Sequence, residues 1–292
     1  MFVFTIMTLL VQRVTFSKID VGVTKEIKRS LYEKVITSIP KNKRHELGDA
    51  KLQEMIFNIP ADRLYGWNFY LESCKKPLRP NALDDLDKTG VRISEYAKQV
   101  TRILEENHFR VIGAYTAGKN YFDPKIVTVG LEHFRGHDEV AAMLRQLSSE
   151  VDVFTIENSE KDLEMVLRYN PPGRFQKGNF LIRESDQELN KKILNACNGK
   201  LLLPVDSDDV LREKTAIAWS RRDLEATNLY LLERCLLLME PATLKLYNQG
   251  KRVAMLEGLN HTLKPYDLFQ YYGVQRLVTI PRARFKLSIK IF

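Results

Sequence analysis

Cysteine is scarce in this chain: Cys74, Cys197 and Cys235 are the three present, an odd number without close spacing. That excludes a disulfide framework and a zinc site built on paired thiolates, and a reducing, cytoplasmic compartment is the simpler expectation. Glycine and proline are sparse too, at 14 and 11 of 292 residues, and no tract is repeated or of low complexity. Fibrous, linker-like and solenoid organisations are thereby set aside. Long hydrophobic runs are also missing. The most apolar stretch, residues 1–11, is too short to span a bilayer and lacks a basic leader and a small-residue cleavage site. Its Val, Phe, Ile and Thr suit a buried strand, and no transmembrane segment is expected.

What is present is enough for a core. Hydrophobic residues make up 44% of the chain, sufficient for one large domain or two modest ones. The net charge is +8, and it is uneven: residues 251–292 hold eight Lys or Arg against Glu257 and Asp267, a net of +6. Such an end attracts a polyanion, whether nucleic acid, anionic lipid or a diphosphate substrate; a solvated basic face is the alternative.

The pattern divides the chain in two. Residues 1–107 read as a mainly helical N-terminal region, with helices expected over 18–39, 51–57 and 91–107, and an aromatic cluster around Trp67 that suits a core. No chemistry is assigned to it. Residues 108–292 alternate short apolar runs (109–115, 126–131, 151–156, 180–182, 201–205) with amphipathic stretches (138–149, 160–168, 187–197). That alternation predicts an α/β class with a mostly parallel sheet flanked by helices. Beyond it, an apolar stripe through Trp219, Leu224, Leu229, Leu232 and Cys235 predicts one long helix over 210–239, and Asn248-Gln-Gly-Lys251 predicts the turn of a β-hairpin over 243–256.

In parallel sheets ligands sit beyond the carboxyl ends of the strands, so acidic residues there are the ones to examine. Two strand ends qualify: 151–156 runs into Glu157-Asn158-Ser159, and 201–205 runs into Asp206-Ser207-Asp208-Asp209. An Asp-x-Asp pair offers oxygens to a hard divalent cation, which in turn neutralises a departing diphosphate.

The order of these features resembles the family 2 glycosyltransferases, which share the GT-A fold. The resemblance covers about residues 125–292. It is carried by the strand Lys125-Ile-Val-Thr-Val-Gly130, the segment Val153 to Asp162, and Asn190 with Ala196 and Gly199-Lys200 ahead of the Asp-x-Asp strand. The run Gln275-Arg-Leu-Val-Thr-Ile-Pro-Arg-Ala-Arg-Phe285 completes it. The resemblance implies metal-dependent transfer of a sugar from a nucleoside diphosphate sugar to an unknown acceptor, itself a polyanion if the basic end serves it. Glu157 and Asn158 would bind the nucleotide, with Glu157 replacing the more usual Asp. Asp206 would lie near the ribose and the metal, Asp208 would ligate Mn²⁺ or Mg²⁺, and Asp209 would orient Asp208. The family's inverting members carry an acidic base beyond the Arg-containing turn, a region past Phe292. Asp267 is the reserve candidate for that base; its alternative is a turn or helix-start residue beside Pro265. The competing reading is a basic nucleic-acid-binding or assembly protein without catalytic activity.

Three further motifs are set aside. Gly113-Ala-Tyr-Thr-Ala-Gly118-Lys119-Asn120 matches a phosphate-binding Gly-x4-Gly-Lys loop up to its last position, but Asn120 replaces the hydroxyl residue and Asp123-Pro124 forbids a long helix. It reads as a turn between strands. Asn170-Pro-Pro-Gly173 lacks the aromatic ring a base-stacking motif needs and reads as a loop. His133 and His137 have metal-like spacing only on a helix, and Gly136 lies between them, so the segment reads as a loop.

Overall fold

The computed structural model describes residues 21–61, 64, 81–132, 136–159, 161, 175–177, 180–182, 184–197 and 199–282. The expected strand at residues 1–11, the Trp67 cluster, Asn170–Gly173, His133 and the helix over 160–168 (Lys161 apart) lie outside them, as do Arg284, Lys286 and Lys290. Among the described residues no helix is long and apolar enough to cross a membrane.

The chain opens with helices α1 (Val21–Ser38), α2 (Glu46–Phe57) and α3 (Ala82–Asp87). After the two-residue strand β1 (Arg92–Ile93), α4 (Glu95–Glu106) leads into β2 (Phe109–Tyr115). Then come β3 (Tyr121–Phe122), β4 (Ile126–Leu131), α5 (His137–Leu147) and β5 (Val153–Ile156). The small hairpin β6 (Phe175–Lys177) and β7 (Phe180–Ile182) precedes α6 (Glu184–Ala196) and β8 (Leu201–Pro204). The C-terminal third holds α7 (Asp209–Ser220), α8 (Leu224–Arg234), a π-helical segment (Cys235–Met239), α9 (Glu240–Asn248), β9 (Val253–Gly258), the short α10 (Leu259–Thr262) and α11 (Leu268–Tyr271), and β10 (Arg276–Pro281).

The main sheet has six strands in the order β2-β10-β4-β9-β5-β8. The pairs from β10 through β8 are parallel and β2 joins β10 antiparallel, so the sheet is mostly parallel and flanked by helices. β4 and β5 are not neighbours; β9 lies between them. Every residue of β4 and of β9 is buried, as expected of central strands covered on both faces. The two faces carry separate apolar clusters. One packs Tyr96, Val100 and Leu104 of α4 and Met143 and Leu147 of α5 on Val127, Val129 and Leu256. The other packs Leu31 and Val35 of α1, Leu52 and Ile56 of α2, and Leu229 and Leu232 of α8 on Ile126 and Met255. The N-terminal helices therefore share both cores with the sheet.

The amphipathic reading of α4 holds because Tyr96, Ala97, Val100, Ile103 and Leu104 fall on one face, and Ser94 caps the helix by accepting from the Ala97 N–H at 3.1 Å. Two expectations are corrected. The long helix over 210–239 breaks at Arg221–Asp223, where Arg222 takes a left-handed φ of 57° and the Asp223 side chain caps α8. Its stripe divides accordingly: Leu229, Leu232 and Cys235 are buried, whereas Trp219 is 48% exposed. The hairpin over 243–256 is instead the end of α9, a turn and the single strand β9. Thr243 and Leu244 are buried on the helix side, and Gly250, at φ 82°, ends the helix rather than turning a hairpin.

The π-helical segment has a local cause. Pro241 stands in the interior of a helix that would otherwise run from 224 to 248, and its ring opposes the carbonyl four residues back. A widened turn, in which the Glu240 N–H reaches the Cys235 carbonyl, relieves that conflict.

Candidate functional site at the carboxyl ends of the strands

β5, β8 and β9 deliver Glu157, Asp206 and Gly258 to the same end of the sheet, with Ile156 opposite both Pro204 and Leu256 in the parallel register. Arg234, the last residue of α8, reaches into this end. Its Nε and Nη2 donate to the two Asp206 oxygens at 3.1 and 2.5 Å, and Nη2 also donates to Glu157 Oε1 at 2.6 Å. Burial works against its charge, but the Glu157 and Asp206 carboxylates outweigh that and raise its pKa further. Arg212 of α7 stands at the rim, 3.4 Å from Asp206 Oδ2. The second Glu157 oxygen accepts the Gly258 N–H at 2.7 Å.

His261 of α10 completes the group. Its Nε2 lies 2.9 Å from Glu157 Oε1, close but not aligned as a hydrogen bond, and its Nδ1 lies 2.8 Å from Cys235 Sγ. Burial pushes the Cys235 thiol well above its usual range, so it is a neutral partner of the imidazole and not a thiolate nucleophile. α10 packs so closely over β4 that a Cβ on Gly130 would come within 2.9 Å of Leu259 Cδ2 and Thr262 Oγ1. The glycine is what lets the helix carrying His261 approach the strand.

A second buried layer continues from His261. The Lys264 ammonium donates to the His261 carbonyl at 2.6 Å and lies 3.0 Å from Glu240 and 3.7 Å from Glu257. Glu257, on β9 beside Glu157, is 1% exposed, and neither of its oxygens has a hydrogen-bond partner. Burial disfavours the Lys264 charge, but the carboxylates of Glu257, Glu240 and Asp267 together raise its pKa well above normal. Five largely buried carboxylates (Glu157, Asp206, Glu240, Glu257, Asp267) thus face three enclosed cations (Arg234, Lys264, Arg276). Arg212 and His261 stand beside the same carboxylates, on Asp206 and Glu157 respectively.

Glu240 holds a proton more tightly than a free carboxyl does. Burial, opposed by Lys264 and reinforced by Asp267, pushes its carboxyl up from 4.5 to about 7. The native state therefore keeps this proton where the unfolded chain has lost it, so its contribution to stability is full below the unfolded value and is lost as pH rises through about 7. Urea denaturation across that interval is expected to show a downward slope of stability with pH that Glu240→Gln flattens. An unchanged slope would place the proton elsewhere.

The residues singled out in the sequence fall as follows. Glu157 and Asp206 meet through Arg234. The Asn158 amide donates to Asn190 at 2.9 Å, which ties β5 to α6. Asp208 is exposed and caps α7, its Oδ1 accepting the Leu211 N–H at 2.9 Å, and Asp209 pairs with Lys161 at 2.8 Å. Asp267 is fully buried, caps α11 through the Gln270 N–H and pairs with Arg276, the helix-start role given above as its alternative. Asp206 accepts from Arg234 through both oxygens and Asp208 caps α7, so each would have to ligate a metal with its remaining lone pairs. No group of three His, Cys, Asp or Glu among the described residues forms a metal cage. The basic end is also less available than its count suggests: Lys264 and Arg276 are buried in ion pairs, and the Arg252 guanidinium lies 3.9 Å over the Tyr96 ring.

Arg234 and His261 match no site motif in the sequence, and Glu257 and Lys264 count there only toward the charge of residues 251–292. One signal was there: Gly-Leu-x-His occurs twice, at 130–133 and 258–261, each time at the end of a fully buried strand, and the two strands are parallel neighbours. What the fold and site define is an α/β protein with a cluster of acidic and basic side chains at the carboxyl end of its parallel strands. No family model, curated protein or solved structure matches the chain.

Proposed function

We propose that the chain is a group-transfer enzyme in which Glu157 and His261 manage the proton of a water or hydroxyl that attacks the substrate. The observation that carries this reading is the convergence of Arg234 and His261 on one Glu157 oxygen, at 2.6 and 2.9 Å, beyond the ends of parallel strands. Arg234 favours the ionised carboxylate. Cys235 Sγ, 2.8 Å from His261 Nδ1, holds the ring with its Nε2 on the Glu157 side, where a small ring rotation would align the two. The test is turnover of p-nitrophenyl esters, phosphates and glycosides. Whatever activity is found is expected to fall about 100-fold or more in Glu157→Gln and in His261→Gln. Variants that turn over like the parent remove the assignment.

The specific form we propose is transfer from a nucleoside diphosphate sugar. It is supported by the resemblance over residues 125–292 and by the arrival of Glu157, Asp206 and exposed Asp208 at neighbouring strand ends. Mn²⁺ or Mg²⁺ dependence belongs to this form through Asp208. Calorimetric titration of UDP and GDP, with and without Mn²⁺, tests it: metal-dependent binding lost in Asp208→Ala is expected. Failure of both nucleotides to bind removes the donor and leaves the acid–base reading to the first test.

A further inference from the structure

At the opposite end of the sheet, below the amino ends of β4 and β10, lies a cavity of about 520 Å³, a volume suited to a small organic ligand. Arg92, Lys119 and Lys125 line it, together with Tyr121 and Tyr247. None of the three cations has an ion-pair partner among the described residues, and the one acid on the wall is Asp123. Three cations, Arg92 and Lys119 exposed and Lys125 half-buried, thus converge on one space with a single carboxylate beside them, an arrangement that an anion would offset.

The wall is preformed. The Gln275 side chain, 8% exposed, donates to the Thr116 and Tyr121 carbonyls at 3.0 and 2.6 Å and accepts the Asp123 N–H at 3.1 Å. One amide thus pins both ends of the turn that carries Lys119. Within the turn, Ala117 and Gly118 both take left-handed φ, 55° and 74°, and the Lys119 N–H donates to the Thr116 carbonyl. On β1 the Arg92 N–H donates to the Asn120 carbonyl, and its guanidinium lies 5.8 Å from the centre of the Tyr121 ring. This is the segment Gly113–Asn120, which forms a turn between strands instead of a loop wrapped around phosphate, yet delivers its lysine to a cationic cavity.

We propose that this cavity binds a small organic phosphate, its phosphate held by Lys119, Lys125 and Arg92 and its planar ring placed against Tyr247. The site is independent of the strand-end cluster and needs no metal. Equilibrium titration of pyrophosphate and of AMP into the full chain, without divalent cation, is the test. Both are expected to bind saturably, and Lys119→Gln/Lys125→Gln is expected to weaken both by about tenfold or more at an unchanged melting temperature. Tyr247→Ala is expected to weaken AMP and spare pyrophosphate. Asp208→Ala, at the other end of the sheet, leaves both unaffected, which separates this site from any nucleotide bound there. Absence of saturable binding, binding indifferent to the lysine pair, or an oligonucleotide that binds where AMP does not would each overturn the proposal.

Discussion

Arg234→Met is expected to cost the folded state about 3–5 kcal/mol, the range for removing one partner of a buried ion pair. Methionine roughly keeps the length and apolar stem of the side chain, so the loss reports charge and hydrogen bonding more than volume. Asp206 is 0% exposed and would keep a carboxylate without Arg234 Nε and Nη2, and Glu157 would lose its 2.6 Å partner. Arg212, 30% exposed and 3.4 Å away, offers partial replacement. Urea denaturation at neutral pH reads the effect. The double variant Arg234→Met/Asp206→Asn is expected to recover more than half of the loss, because the orphaned charge goes with its partner. A single-variant loss below about 1 kcal/mol would mean that water or Arg212 compensates Asp206 fully.

Lys264→Met is expected to be comparably severe, about 3–5 kcal/mol at about pH 8, and milder at about pH 5. The ammonium is the cation nearest both Glu240 and Glu257, each at most 1% exposed. Its pKa stands well above the usual lysine value, so its charge persists across that whole interval and any pH dependence comes from the carboxylates around it. Removing it leaves carboxylates that are relieved only by protonation, and acid supplies the protons. Equal losses at both pH values would point to packing, and not to charge, as what Lys264 contributes.

Much of the sheet is legible from sequence because its strands are short apolar runs, fully buried in β4 and β5. The strands at 109–115, 126–131 and 180–182 have the expected bounds, and those at 153–156 and 201–204 differ by one or two residues. Turn signals were less decisive. Asn248-Gln-Gly-Lys251 serves a helix end as readily as a hairpin, and only the packing of Thr243 and Leu244 decides between them. At Arg222 a left-handed backbone breaks the helix without a glycine to announce it. The candidate site was half visible for a related reason. Glu157 and Asp206 stand where a strand ends, a position that periodicity reveals. Arg234 reaches Glu157 across 77 residues of sequence, and His261 comes from a four-residue helix, so their meeting depends on tertiary placement. Lys264 and Arg276 counted toward a basic surface in the sequence, and their burial removes them from it.

The widened turn at Cys235–Met239 gives the site an unusual sensitivity to chain length. A π turn holds about one residue more than an α turn, so deleting one residue there would leave α8 and α9 in nearly the same relative rotation but would set the Pro241 ring against the carbonyl four residues back. That conflict, costing about 3 kcal/mol in a helix interior, would fall on the turn that joins Arg234 and Cys235 to α9. For this segment, then, residue count matters more than residue identity: substitutions that keep the number are expected to be borne far better than a shortening that closes the wide turn.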